Sequence, residues 1–427
     1  MTVDLLGRDT DVRTRLSSIR ERPSSVRADA VERVVLVVAS SRGGSSYVHA
    51  VLSSSPSAAS IGGEHTGLYR LHGVERGADG SDRIESDSVR DDQVEDVAAE
   101  IADLLRVGPG GTALHPEVYA RAAAVRLVLQ WPWVPFAADD VRDASFRVHA
   151  AAAGAGLSDS DLFVRLLAEL EATYPDLRRD AYDGLRDAGP GPASDGPHPP
   201  PGPAIVEEPP FVVPLRRRRP SLAELRRSVV VLKASVDAYR LPLVRRLFPR
   251  AEIAVVHLTR NPAASVNGLI DGWLDRGFFS YDVSAETTLD IAGYSERAAF
   301  ARAWWNFDVP PTWRSVADRP LAEVCANQWS QAHRWVLKEV DAVADRLLRV
   351  RFENLTGPGA DQEWDRVFRF AGLARADRSR IPVVMATASP RAGRWRGREA
   401  LIRPAIAQAP VHEIVQELGY TKEEGWV

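Results

Sequence analysis

Residues 33–39 read Arg-Val-Val-Leu-Val-Val-Ala and run straight into Ser40-Ser41-Arg42-Gly43-Gly44-Ser45-Ser46. A short, continuous β-branched run suits a strand buried on both faces of a parallel sheet. Tyr47–Leu52 then reads as the first turns of a helix. A strand, a Ser/Gly loop and a helix in succession aim backbone N–H groups at an anion, and the helix N-terminus adds a favourable partial charge. Gly43 and Gly44 let the backbone approach closely, Arg42 offers a planar donor fork, and Ser41, Ser45 and Ser46 offer hydroxyls. An ordinary Gly/Ser turn into a helix would look the same. A nucleoside-triphosphate loop requires G-x-x-x-x-G-K-[ST]; here the loop has no lysine and the glycine spacing is wrong. The dinucleotide pattern G-x-G-x-x-G is also missing from this turn.

The same alternation resumes later in the chain. Ser228–Leu232, Ile253–Leu258 and Leu347–Phe352 read as strands. Leu241–Phe248, Pro262–Ile270, Ala322–Ala344, Asp361–Ala371 and Pro404–Leu418 read as helices, the last ended by Gly419. Strands alternating with helices predict an α/β protein, with a mostly parallel central sheet flanked by helices. Residues 1–30 read as a polar N-terminal arm and 31–427 as one α/β domain. Within that domain, residues about 75–185 form a largely helical insertion, and about 187–220 a Pro/Gly-rich loop ending in the basic run Arg216–Arg219. A loop of that length is either a solvated connection or a lid.

Composition narrows the function classes. The net charge is −4 over 427 residues, which argues against a nucleic-acid partner. A single cysteine, Cys325, excludes an internal disulfide framework and leaves almost no room for a cysteine-built zinc site. The longest apolar run near the N-terminus, Val34–Ala39, is too short for a bilayer, and the charged residues before it lack the order of a secretory signal. The expectation is a cytoplasmic protein with no membrane partner and no metal; homo-oligomers stay open.

The loop resembles the 5′-phosphosulfate-binding loop of bacterial sulfotransferases that use 3′-phosphoadenosine 5′-phosphosulfate (PAPS). A second segment carries more of the resemblance. Phe248-Pro249-Arg250-Ala251, then Arg260-Asn261-Pro262 and Ser265, is similar to that family's 3′-phosphate-binding segment FPxAxxxxxxRxPxxxxxS. Two further blocks agree in order. Val350–Leu355 with Phe370-Ala371-Gly372-Leu373 resembles the family's late strand and FxGL helix, and Ser389–Arg396 resembles the loop that closes over the nucleotide. The resemblance covers residues 33–70 and 228–420 and leaves the middle unmatched.

It implies a P-loop-like sulfotransferase fold, PAPS as sulfuryl donor, and 3′-phosphoadenosine 5′-phosphate (PAP) as product, with no metal. The acceptor implied is the hydroxyl or amine of a small molecule, natural product or sugar. Ser41, Arg42, Gly43, Gly44, Ser45, Ser46, Arg260, Ser265, Arg391, Gly393, Arg394 and Trp395 would bind the nucleotide. Arg42 and Lys233 would serve the transferring group and the bridging oxygen, and Glu64, or alternatively His65, would be the general base. Sulfation could end the reaction or activate a later elimination or cyclisation.

Other residues admit blander readings. His257 lies in an apolar strand and reads as core, and His49 as a packing residue; His333 and His412 are single histidines on helices. Trp131, Trp133, Trp273, Trp304, Trp305 and Trp313 line either an aromatic acceptor pocket or the core. Two alternatives to a sulfotransferase remain: a divergent kinase-like transferase, or a nucleotide-binding protein without catalysis.

Overall fold

The computed structural model describes residues 5–108, 115–152, 156–177, 212–274, 280–378, 381 and 391–421. Its strands are β1 (Arg33–Val38), β2 (Ala58–Ala59), β3 (Val229–Leu232), β4 (Glu252–Thr259), β5 (Ser280–Asp282), β6 (Trp304–Asn306) and β7 (Arg346–Arg351). Five of them form one sheet in the order β2-β3-β1-β4-β7, and every neighbouring pair is parallel. β5 and β6 pair separately as an antiparallel ribbon. The expected parallel sheet is therefore present. From β1 the chain moves out to the β2 edge, returns to β3, and crosses to β4 on the other side. β1 thus stands where the winding reverses, the place where open α/β sheets bind ligands beyond their strands' carboxyl ends.

Alternation along the strands explains the unbroken apolar run. Val34, Leu36 and Val38 face one side with Ile253 and Val255; Val35 and Val37 face the other with Ala254, Val256 and Leu258. The first side is covered by α10 (Leu241–Leu247) and α12 (Leu321–Val343), the second by α3 (Ser45–Ser53) and α14 (Ala360–Ala371). Central strands buried on both faces have no exposed positions to fill with polar side chains. α14 ends at Gly372, left-handed at φ 65°, with Leu373 N–H returning to the Phe368 carbonyl at 3.0 Å.

The N-terminal arm is a docked helix. In α1 (Leu5–Ile19), Val12 and Leu16 enter the core, Arg13 Nε donates to the Leu71 carbonyl at 2.9 Å, and Arg15 reaches the Pro132 and Val134 carbonyls at 2.7 Å each. A short helix, α2 (Ser25–Ala28), leads into β1, and α4 (Thr66–Leu71) follows β2. The middle of the chain holds α5 (Asp91–Leu104), α6 (Pro116–Gln130), α7 (Ala138–Ala152) and α8 (Asp159–Glu171). α6, α7 and α8 build a core of their own around Trp131, whose Nε1 donates to the Leu177 carbonyl at 2.7 Å. Of the Pro/Gly-rich loop, residues 187–211 lie outside the described residues, while Val212–Pro220 is docked and leads to α9 (Leu222–Arg227). Val212 bridges to Gly63 and Arg218 to Val107.

One expectation needs correction. The last predicted helix, Pro404–Leu418, is two helices, α15 (Glu399–Ile406) and α16 (Ala409–Glu417), with Gln408 extended between them. Pro410 lacks an N–H and sits in the first turn of α16, where none is needed, while Pro404 is accommodated inside α15. The tryptophans mostly fill cores. Trp273, Trp305 and Trp313 are fully buried and stack edge-to-face at 5.2 and 5.7 Å in a cluster shared by α11 (Pro262–Trp273), α12, α15 and α16. Trp131 is buried in the core of α6, α7 and α8, and Trp133 and Trp304 are half-buried. Cys325 is buried in α12, and burial pushes its thiol pKa well up. Among the described residues no helix is long and apolar enough to cross a membrane.

His257 is a core residue, as read from the sequence, but it has a partner. Its Nε2 lies 3.0 Å from His333 Nδ1, with both rings fully buried between β4 and α12. Burial holds His333 down to about 3, and burial together with His333 holds His257 well below the usual range. The unfolded chain takes up both protons near pH ~6.5 and the native state refuses them, so the contribution is complete above that pH and is lost as pH falls toward the native values. The urea midpoint is expected to fall steadily between pH 7 and pH 4, with a shallower slope in His333→Leu. Equal slopes in the two proteins would show that the pair is not held neutral.

Candidate functional site

Because the central strands are apolar along most of their length, the polar residues of the candidate site gather at the carboxyl edge of the sheet. β1 ends at Val38, and the loop turns through Ser40–Gly44 into α3. Gly43 N–H closes the turn onto the Ser40 carbonyl at 3.0 Å. Gly44 has φ 93°, and a Cβ there would lie 2.3 Å from the Phe352 ring. Phe352 starts α13 (Phe352–Thr356) just beyond β7, so the end of β7 closes over the end of β1. The Arg260 guanidinium sits 5.0 Å from the same ring and donates to the Arg42 carbonyl at 3.1 Å. Loop, Arg260 and Phe352 form one packed unit across three strands.

Arg260 follows β4 directly and Ser265 lies in the first turns of α11, as the sequence places them. Asn261 caps that helix, its Oδ1 accepting from Ala264 N–H at 2.9 Å, while its own N–H donates to Glu353 Oε1 at 2.8 Å. Burial lowers the Arg260 pKa, and nearby Arg394 lowers it further against the opposing pull of Glu353. Ser265 is fully buried, and its hydroxyl has no partner among the described residues. An unsatisfied buried hydroxyl in the first turns of a helix at the sheet's carboxyl edge fits an anion-binding position.

Lys233 follows β3 and forms an ion pair with Glu64 Oε1. Its Nζ also donates to Ser46 Oγ at 3.3 Å, which places the pair against the first turn of α3. The other Glu64 oxygen accepts from Ser235 N–H at 3.3 Å and Thr66 Oγ1 at 3.4 Å. The side chains are 6% (Lys233) and 16% (Glu64) exposed. Gly62, at φ 85°, sets the approach to Glu64; a Cβ there would meet the Val213 carbonyl at 2.7 Å.

His65 lies elsewhere than the sequence reading placed it. It is fully buried, with Nε2 3.1 Å from the buried Asp237 carboxylate, which also accepts from Tyr69 OH at 3.0 Å. Its adjacency to Glu64 misled the reading, because successive residues at a helix start point in different directions. Trp395 also departs from expectation: it is 1% exposed in the helical core and leaves no ring face for a ligand. Arg394, from the same late loop, pairs with Asp271 of α11 at 2.6 Å, and Arg398 reaches Asn267 of that helix at 2.8 Å. Gly393, at φ 68°, turns the chain into this segment, and Arg391 is exposed. Ser389 and Pro390 lie outside the described residues.

Several participants were missed by the sequence reading. Nothing in that reading singles out Ser235; Phe352 reads only as part of a strand block, and His49 only as a packing residue. His49 lies one turn into α3, bonded to Ser53 at 3.3 Å; burial, aided by Lys233, brings its pKa to about 4. A groove of about 280 Å³ lined by Arg76, Glu286 and Arg314 includes none of these residues.

Fold and site together define an α/β protein in which the loop after β1, Arg260 and the Lys233–Glu64 ion pair meet at the carboxyl edge of the parallel sheet. No protein-family model matches the chain, and no curated protein does. Among solved structures it is similar to the sulfotransferase domain from the curacin biosynthetic pathway, at 9% identity and TM-score 0.36, over 91% of this chain and 98% of that one. It is also similar to the sulfotransferase domain from the Synechococcus PCC 7002 olefin synthase, at 10% identity and TM-score 0.36, over 92% and 96%. A sulfotransferase from Mycobacterium tuberculosis aligns at 11% identity and TM-score 0.29, over 92% and 81%.

Gly44→Ala is expected to destabilise the fold by at least about 1–2 kcal/mol from the left-handed backbone alone. The displaced Phe352 ring adds to that cost. Urea denaturation of Gly44→Ala alone and combined with Phe352→Ala separates the two terms: the ring's share must vanish in the double variant.

Proposed function

We propose that the chain is a PAPS-dependent sulfotransferase acting on the hydroxyl or amine of a small-molecule acceptor. The observation that carries this reading is the Lys233–Glu64 ion pair, whose lysine also donates to Ser46 of the loop, at the same sheet edge as Arg260 and Ser265. PAPS supplies an activated sulfuryl group. The cradle from Ser41 to Ser46 suits its phosphosulfate end, and Arg260 with the unpaired Ser265 hydroxyl suits its 3′-phosphate. Glu64 takes the acceptor proton as the new bond to sulfur forms. Lys233 donates to the phosphate oxygen on which the breaking sulfur–oxygen bond leaves its electrons. His65 is too deeply buried for the base role.

Because Lys233 and Glu64 neutralise one another, each must exchange partners before it can act. Glu64 is then a free carboxylate, and Lys233 faces developing negative charge instead of a permanent one. Alignment and charge neutralisation are what such an in-line displacement requires.

Thermal unfolding with PAP and with ATP-Mg²⁺ tests the reading. A ligand at 100 times its Kd adds about 2.7 kcal/mol. Stabilisation by PAP, absent with ATP-Mg²⁺ and lost in Arg260→Ala, is the expected pattern. A response to ATP-Mg²⁺ and none to PAP would favour a kinase-like transferase instead. Once an acceptor is found by screening, Glu64→Gln should lower kcat about 10²–10⁴-fold and leave PAP binding intact.

A further inference from the structure

Asp308 lies behind the anion cradle and is 2% exposed. Tyr239 OH donates to its Oδ2 at 2.6 Å, and the Ser41 hydroxyl engages the same carboxyl. Ser41 belongs to the loop after β1, and Tyr239 to the Ser235–Tyr239 turn that follows Lys233. One carboxyl therefore ties the strand end that carries the cradle to the strand end that carries the lysine. Its backbone is fixed from two further directions: the Asp308 carbonyl accepts from Trp305 Nε1 at 3.0 Å and from Gln328 Nε2 at 2.8 Å.

The backbone marks the same contact. Among the described residues, only two non-glycine residues have positive φ: Arg42 at 60° and Phe307 at 63°. They are the chain neighbours of Ser41 and Asp308. A left-handed arginine and a left-handed phenylalanine persist only where surrounding structure over-determines them. The Phe307 ring is wedged against Gly272 of α11, where a Cβ would lie 2.2 Å from it.

We propose that Asp308 is a positioning residue of the cradle, and that filling the loop with an anion drives a proton onto its carboxyl. The proposal rests on the nucleotide reading given above. An ionised carboxylate behind the cradle repels the anion, whereas a neutral one keeps its bonds to Ser41 and Tyr239 without the repulsion. The titratable groups around it are Tyr239, Asp82 on the facing loop, and the Cys325 thiol of α12. Asp82 is itself held by Arg240 at 3.3 Å and Tyr281 at 2.9 Å. Burial, with Asp82 assisting, already brings Asp308 up to about 6. A bound anion raises it further, so binding takes up a proton. Affinity should then fall as pH rises above the value in the free protein, until it passes the value in the complex.

Calorimetric titration with PAP between pH 6 and pH 8 tests this in wild type and Asp308→Asn. The phosphates of PAP titrate alike in both experiments, so the difference between the profiles belongs to Asp308. Wild type is expected to lose about fivefold to tenfold more affinity across that range. At pH 7, in buffers of different ionisation enthalpy, it should take up a fraction of a proton that the variant does not. Identical profiles in proteins that both bind PAP would overturn the proposal and leave the sulfotransferase reading standing. Failure of wild type to bind PAP at any pH would overturn both. Should Asp308→Asn not fold, Ser41→Ala serves instead. Removing a hydroxyl that favours the ionised carboxyl must move the affinity loss to higher pH, and an unmoved profile would overturn the proposal.

Discussion

A sheet whose central strands are buried on both faces leaves its polar chemistry one place to go, the strand ends. Here β1, β3 and β4 carry almost nothing but Val, Leu, Ile and Ala until their last residues. Their carboxyl ends then deliver Arg42, Lys233 and Arg260 within one neighbourhood. The exceptions in β4 follow the same logic, since His257 and Thr259 are satisfied internally, by His333 and by Tyr420 at 3.0 Å.

The second constraint is how the strand ends are locked together. Gly44, Phe352 and Arg260 interlock through a ring that fills the space a Cβ would need. Glu64 and Lys233 lock β3 to the segment after β2, and Asp308 locks β1 to the turn after β3. Each lock joins residues far apart in sequence. The site is therefore a property of the assembled sheet rather than of any single loop.

That distinction explains what the sequence disclosed. Most of the strands and helices named from periodicity appear within a few residues of where the pattern places them, whereas the short elements β2, β5, β6, α2, α4, α9 and α13 were not placed. The loop is legible because its glycines and strand end are local features, and Arg260 and Ser265 because the segment that carries the family resemblance is contiguous. Phe352, Asp308 and the Asp237 partner of His65 are not, because their roles depend on contacts across the sheet. Trp395 was misassigned because an indole in a basic loop suits a ligand and a core equally well. The division of the last helix at Pro410 was locally legible; the longer apolar periodicity masked it.

The lone thiol of Cys325 has a different consequence. It lies in α12, packed among the tryptophans, with its proton held by burial. A thiol must be both exposed and ionised to react, and in this fold it is neither. Its chemistry is that of a clock: a thiol reagent reaches it only when α12 leaves the cluster. The rate of its modification therefore counts openings of the side of the molecule that carries α11 and the anchored late loop.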